Sequence, residues 1–129
     1  MRKILFYVGG VFSLLFAVLH LLFWWLGNWQ EELPRLSPDN SGIMQMLNVV
    51  SIYLLLFAVF MSFYLAKKME FVFADKAIIV FIAGFYMLRI IFGMPFFGFT
   101  VTETVVWVFC LIPAACYLTV LRPKQDQVG

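Results

Sequence analysis

A chain of 129 residues in which 64% of the side chains are hydrophobic and 12% are charged has more apolar surface than a soluble domain of that size can bury. Its solvent must be lipid over much of its length, and the length suits one compact unit. The net charge of +2 gives no reason to expect a nucleic-acid partner.

The pattern is that of an all-α membrane protein, with four transmembrane helices in an up-down bundle. A spanning helix needs roughly 20 apolar residues. Four stretches supply them, at about residues 4–26, 43–66, 76–93 and 101–121. None alternates with the period of two that a membrane strand requires. Met1-Arg2-Lys3 ahead of an apolar run resembles a secretory signal. The run ends in Phe23-Trp24-Trp25-Leu26-Gly27 without an Ala-x-Ala cleavage pattern, so it reads as an uncleaved first span.

In the first span Gly9, Ser13 and Ala17 lie four apart, a spacing that lets helix backbones approach closely, within the bundle or between two copies of the chain. His20, the one histidine, continues that stripe and is expected to face other helices. Residues 28–42 (NWQEELPRLSPDNSG) form the longest polar stretch, an outer loop that could cap the bundle. Within it Ser37-Pro38-Asp39 has the residues of a helix start, and Glu31 and Glu32 read as solvated rather than metal-binding.

The second span places Gln45, Asn48, Ser51 and Ser62 near one face, where polar residues usually meet protein rather than lipid. The link KKMEFVFAD is expected to lie at the interface, with Asp75 as N-cap of the third helix. The third span carries Arg89 about one turn before its end. A turn rich in breakers and aromatics, Gly93 to Gly98, is expected to follow. The fourth span opens with Thr100-Val101-Thr102-Glu103, which fits a capping box. Residues 122–129 read as a disordered polar tail.

Arg2, Lys3, Lys67, Lys68, Lys76, Arg122 and Lys124 fall on one side of this layout, with Arg35 alone in a loop on the other. That asymmetry places both termini in the cytoplasm, most simply of a plasma or inner membrane. Trp24, Trp25, Trp29 and Trp107 lie toward the opposite side, as an interfacial belt would.

Counting from the span ends brings His20, Asn48, Arg89 and Glu103 to a similar depth, in the half of the bilayer away from the cytoplasm. Ionisable groups in hydrocarbon are costly unless paired, so each is a candidate for function. With Trp24 and Trp107 they form the expected ligand-binding set. Phe16, Tyr53 and Tyr86 would add aromatic walls. Arg89 could hold an anionic headgroup, and His20 could pass a proton. Structural alternatives are an Arg89–Glu103 bridge, a capping Glu103, and Asn48 as interhelical glue.

The expected function is binding of a lipid, isoprenoid or quinone in an intramembrane pocket near the non-cytoplasmic leaflet, with membrane lipids as partners. The alternatives are a proton or ion pathway or a transporter built by a homo-oligomer joined through Gly9, Ser13 and Ala17, and an accessory subunit of a larger membrane complex. No nucleophile elbow, HExxH or phosphate-binding glycine loop points to an enzyme. Cys110 and Cys116 would lie roughly 240° apart on a helix, too far round to bridge. No Cys/His cluster suggests a metal, and the sequence names no cofactor.

Overall fold

The computed structural model describes residues 1–122, so Lys124 and the tail expected beyond Arg122 lie outside the described residues. All regular structure in that range is helical. In order it comprises α1 (Arg2–Leu21), the single turns α2 (Phe23–Leu26) and α3 (Trp29–Glu32), a 3-10 turn (Leu33–Arg35), α4 (Pro38–Ala66), α5 (Phe73–Phe97) and α6 (Val101–Val120). Four helices, α1, α4, α5 and α6, are long and apolar enough to cross a membrane, with window hydropathies between 1.8 and 2.3.

Helix ends follow local chemistry. Ser37 Oγ accepts from Asn40 N at 3.3 Å and starts α4. Pro38 follows at the first helical position, where a missing N–H is harmless. Thr100 Oγ1 accepts from Glu103 N at 3.1 Å and starts α6. The other half of the expected capping box is not made, because the Glu103 carboxylate is committed to Arg89. Val72, not Asp75, is the N-cap of α5. Asp75 lies three residues inside the helix, and its carboxylate turns back to accept from Val72 N at 3.0 Å.

Three expected boundaries move. The third span does not end at Gly93. α5 continues through Pro95 to Phe97 and closes at Gly98, whose φ of 75° is in the left-handed region that favours glycine. Pro95 removes one donor from the helical ladder, and the Gly98 N to Met94 O bond of 2.9 Å completes the last turn. The first span breaks at Leu22 and resumes for one turn. Residues 28–42 are not an irregular loop, since α3, the 3-10 turn and the first turn of α4 occupy most of them.

α1 packs along both α4 and α6, and α5 packs along α6, whereas α4 and α5 barely meet. The centre of this arrangement is polar. Ser13 of α1, Ser62 of α4, Tyr86 of α5 and Tyr117 of α6 are all buried, none more than 2% exposed. Ser13 Oγ lies 2.7 Å from Tyr86 OH and 3.4 Å from Tyr117 OH, and Ser62 Oγ lies 2.7 Å from Tyr117 OH. Each serine also donates to its own helix, Ser13 to Gly9 O at 2.9 Å and Ser62 to Ala58 O at 2.6 Å. The tyrosine hydroxyls are therefore left to donate to the serines.

The glycines of α1 make room for this contact. A Cβ at Gly9 would sit 2.7 Å from Tyr117 Cζ, and one at Gly10 would sit 3.1 Å from Ser62 Cβ. Gly9, Ser13 and Ala17 are all buried inside this chain. Phe6, Leu55, Leu65 and Ile79 pack around them, each 1% exposed or less. The buried residues of α4 all fall between Leu55 and Ala66, so its first half stands outside the core.

The α4–α5 link is held against the start of α1. The Arg2 guanidinium donates to Met69 O and lies over the Phe71 ring, 4.4 Å from its centroid. Lys68 Nζ donates to both oxygens of Asp75 at 2.8 Å.

Two predictions follow from these contacts. Gly9→Leu drives a side chain into the Tyr117 ring and should cost about 1–3 kcal/mol. Tyr86→Phe removes one hydroxyl but leaves Ser13 its backbone acceptor, and should cost only about 1 kcal/mol. Unfolding midpoints in mixed micelles report both, and a silent Gly9→Leu would contradict the tight Tyr117 contact. The second prediction concerns pH. The hydrogen bond from Lys68 to Asp75 raises the Lys68 pKa above the ordinary lysine value. A raised value in the folded state means the stabilisation is complete below the ordinary value and is lost as pH climbs through the raised one. The Asp75 pKa is held below its ordinary value by the same contact, so its share is lost in acid. The difference in unfolding midpoint between wild type and Lys68→Met should therefore stay constant between pH 3.8 and pH 10.5, the ordinary aspartate and lysine values, and shrink on either side.

Candidate functional site

The six residues expected to form one ligand site fall on two different seams. Arg89, Glu103 and Trp107 belong to the α5–α6 seam. Arg89 donates from Nη1 to Glu103 Oε1 at 2.5 Å and from Nη2 to Oε2 at 2.7 Å, a two-pronged ion pair. Glu103 is 5% exposed, and Arg89 is half-buried with its guanidinium 5.0 Å from the centre of the Phe97 ring. Gly93, one turn along α5, makes the pairing sterically feasible. A Cβ there would collide with Arg89 Nη1 and Glu103 Oε1. Trp107 Nε1 donates to Ile90 O at 2.9 Å and ties the same two helices together. The positive charge that an anionic headgroup would seek is already matched inside the chain.

His20, Asn48 and Trp24 belong to the α1–α4 seam. His20 Nδ1 lies 2.9 Å from Phe16 O, its own helix's carbonyl one turn back. A carbonyl can only accept, so Nδ1 carries the proton, and in a neutral imidazole Nε2 keeps a lone pair. Asn48 Nδ2 donates to His20 O at 3.1 Å, near the end of α1 where helical carbonyls run short of donors. With the amide nitrogen so engaged, Asn48 Oδ1 is left buried with no donor, the one buried side-chain polar atom in that state among the described residues. Such an orphan costs on the order of 1–3 kcal/mol.

The break after α1 shapes the rest of this seam. Past α2 the chain turns through Gly27 and Asn28, whose φ of 50° is left-handed. A Cβ at Gly27 would sit 2.8 Å from Trp29 Cδ1 and Nε1, so glycine is what lets the Trp29 indole fold back. Trp29 is 8% exposed, with its ring 6.0 Å from that of Phe23. Phe23 in turn lies 4.7 Å from the imidazole of His20. Trp29, expected in an interfacial belt, is thus buried as a wall of the interior. Between these groups lies a recess of about 220 Å³, lined chiefly by His20, Trp24, Trp29, Gln45, Asn48 and Ile52.

No hydrogen bond or salt bridge among the described residues links His20, Asn48 or Trp24 to Arg89, Glu103 or Trp107. Of the expected aromatic walls, Tyr53 points away at 70% exposure, and Phe16 and Tyr86 are core residues. Trp29, Gln45 and Ile52 also line the recess and were outside the expected set. The Gly27-Asn28 pair is a turn signal, and it could have flagged that the next residue folds back. The described residues contain no cluster of three or more His, Cys, Asp or Glu fit to hold a metal ion.

The α5–α6 pair makes its own prediction. Arg89→Leu alone strands the buried Glu103 and should cost about 3–5 kcal/mol, whereas Arg89→Leu with Glu103→Leu should regain most of that loss. Equal losses in the single and double variants, by unfolding in micelles, would contradict the pairing.

No protein-family model matches the chain, and neither a curated protein nor a solved structure shows significant similarity to it.

Proposed function

We propose that this is an amphiphile-binding membrane protein. In this reading the α1–α4 recess holds the polar head of a lipid, isoprenoid or quinone in the non-cytoplasmic leaflet of a plasma or inner membrane. The four long helices run up and down, with Arg2 and Arg122 toward the cytoplasm. Three contacts favour that topology. Arg2 at the start of α1 meets Met69 beyond the end of α4. Phe6 near the start of α1 lies 6.4 Å from the ring of Tyr117 near the end of α6. Arg89 late in α5 meets Glu103 at the start of α6. The basic residues Arg2, Lys3, Lys67, Lys68 and Lys76 then share one side, as the positive-inside rule asks.

The recess carries the functional reading. Sites that engulf a small molecule run to ~300–1,000 Å³. At about 220 Å³ this one suits a headgroup, with the acyl or prenyl chain left outside along the exposed first half of α4. Its indole and aliphatic walls with a few polar groups support the binding reading. A proton pathway draws less support. The hydroxyl chain through Ser13, Ser62, Tyr86 and Tyr117 spends its serine protons on backbone carbonyls, and Gly9, Ser13 and Ala17 are occupied within the chain.

Filling the recess tests the reading. Ile52→Trp should reduce the amphiphiles retained through purification, measured by mass spectrometry of extracted lipids, at least tenfold relative to wild type. Arg89→Leu/Glu103→Leu should leave retention unchanged. Retention that survives Ile52→Trp in a folded protein would remove the recess from consideration.

A further inference from the structure

Resting on that reading, we propose that the recess selects an uncharged head bearing a hydroxyl, which donates its hydrogen bond to His20 Nε2. The argument is an inventory of what the lining has already spent. The Nδ1 proton of His20 goes to Phe16 O. One amide proton of Asn48 goes to His20 O, and the Gln45 amide nitrogen donates to Ser41 O and Oγ. Two acceptors, His20 Nε2 and Asn48 Oδ1, are left without a donor. His20 Nε2 makes no hydrogen bond among the described residues, and it is not among the buried orphans, so it is open to a ligand. Asn48 Oδ1, covered and without a donor, is a second acceptor on the same wall that the chain itself leaves unmatched.

Charge narrows the class further. The one cation among the ligand candidates, Arg89, is clamped by Glu103, and Glu103 is clamped in return. The recess lining therefore contains no free cation for a phosphate or carboxylate and no free anion for an ammonium. An imidazolium there would also bear the cost of an unpaired charge in hydrocarbon. A ketone or ether head, which can only accept, leaves Nε2 unmatched. A hydroxyl both donates and accepts, so it can give its proton to Nε2 and take one from the indole of Trp24 or Trp29. Within the amphiphiles proposed above, this favours alcohols and quinols over quinones, and neutral heads over anionic ones.

Three photoreactive probes on the same diazirine-bearing octadecyl chain separate these classes: the alcohol, its methyl ether and the corresponding carboxylate. Each is incubated with the purified protein in micelles, irradiated, and the labelled sites are mapped by peptide mass spectrometry. Saturable labelling of residues 21–29 and 45–52 by the alcohol should exceed that by the ether about tenfold, the scale of one hydrogen bond. The carboxylate should do no better than the ether. His20→Phe should bring the alcohol-to-ether ratio to about one while labelling persists, and His20→Gln, which keeps an acceptor, should retain much of the preference. Equal labelling by alcohol and ether in the wild type, or preference for the carboxylate, overturns the hydroxyl assignment and leaves the recess as a binding site. Absence of saturable labelling there by any of the three overturns the amphiphile reading itself.

Discussion

Four buried hydroxyls decide how these helices sit. In lipid the tails outside are as apolar as the side chains inside, so burial of hydrocarbon gives little reason for spans to associate. Directional contacts and close packing must supply that reason. Ser13, Ser62, Tyr86 and Tyr117 put one hydroxyl from each long helix at a common point. An unmatched hydroxyl there would cost far more than a matched one gains. Sliding α4 by one turn against α1 would carry Ser62 roughly 5 Å from its partners. The network therefore specifies register as well as contact. Gly9 and Gly10 matter because they admit the Tyr117 ring and the Ser62 side chain to the α1 backbone.

Charge is handled separately from this centre. Lys68 and Asp75 pair beside the α4–α5 link, and Arg89 and Glu103 pair across the α5–α6 seam. Both pairs join the helix ends or neighbours that the connecting turns already bring together. With those charges matched, the polarity left over on the α1–α4 seam is neutral. The recess and the ion pair are therefore separate features, although their residues were expected at one depth.

The sequence made some of this legible and hid the rest for identifiable reasons. Apolar length alone located the spanning helices, since roughly 20 residues without charge have few other uses. The Gly9/Ser13/Ala17 spacing showed that α1 had a close-packing face, but spacing cannot say which helix fills it. An Arg89–Glu103 bridge was among the alternatives the sequence offered, and it is made. The pairing depends on Gly93, which looked like a helix stop because glycine and Pro95 are poor helix formers. In the fold that glycine is an opening for two long side chains, and the helix absorbs the proline. Tyr86 read only as an aromatic wall, because a tyrosine's hydroxyl partner lies on another helix and leaves no mark in its own segment. Trp29 was placed by its type in an interfacial belt. The left-handed Asn28 turns it inward, and a backbone angle is not written in residue type.

Helix length has a consequence for the surrounding bilayer. At ~1.5 Å per residue, the 20 residues of α1 reach about 30 Å and the 29 residues of α4 about 43 Å. The first matches an ordinary hydrocarbon thickness, and the second exceeds it. A single membrane cannot suit both unless α4 leans or its polar opening turns stand clear in the headgroup layer. Pro38, Asp39, Asn40 and Ser41 make the second course inexpensive. In the proposed reading, that mismatch would set the mouth beside Trp24 and Gln45 at headgroup level, open to a molecule that never leaves its leaflet.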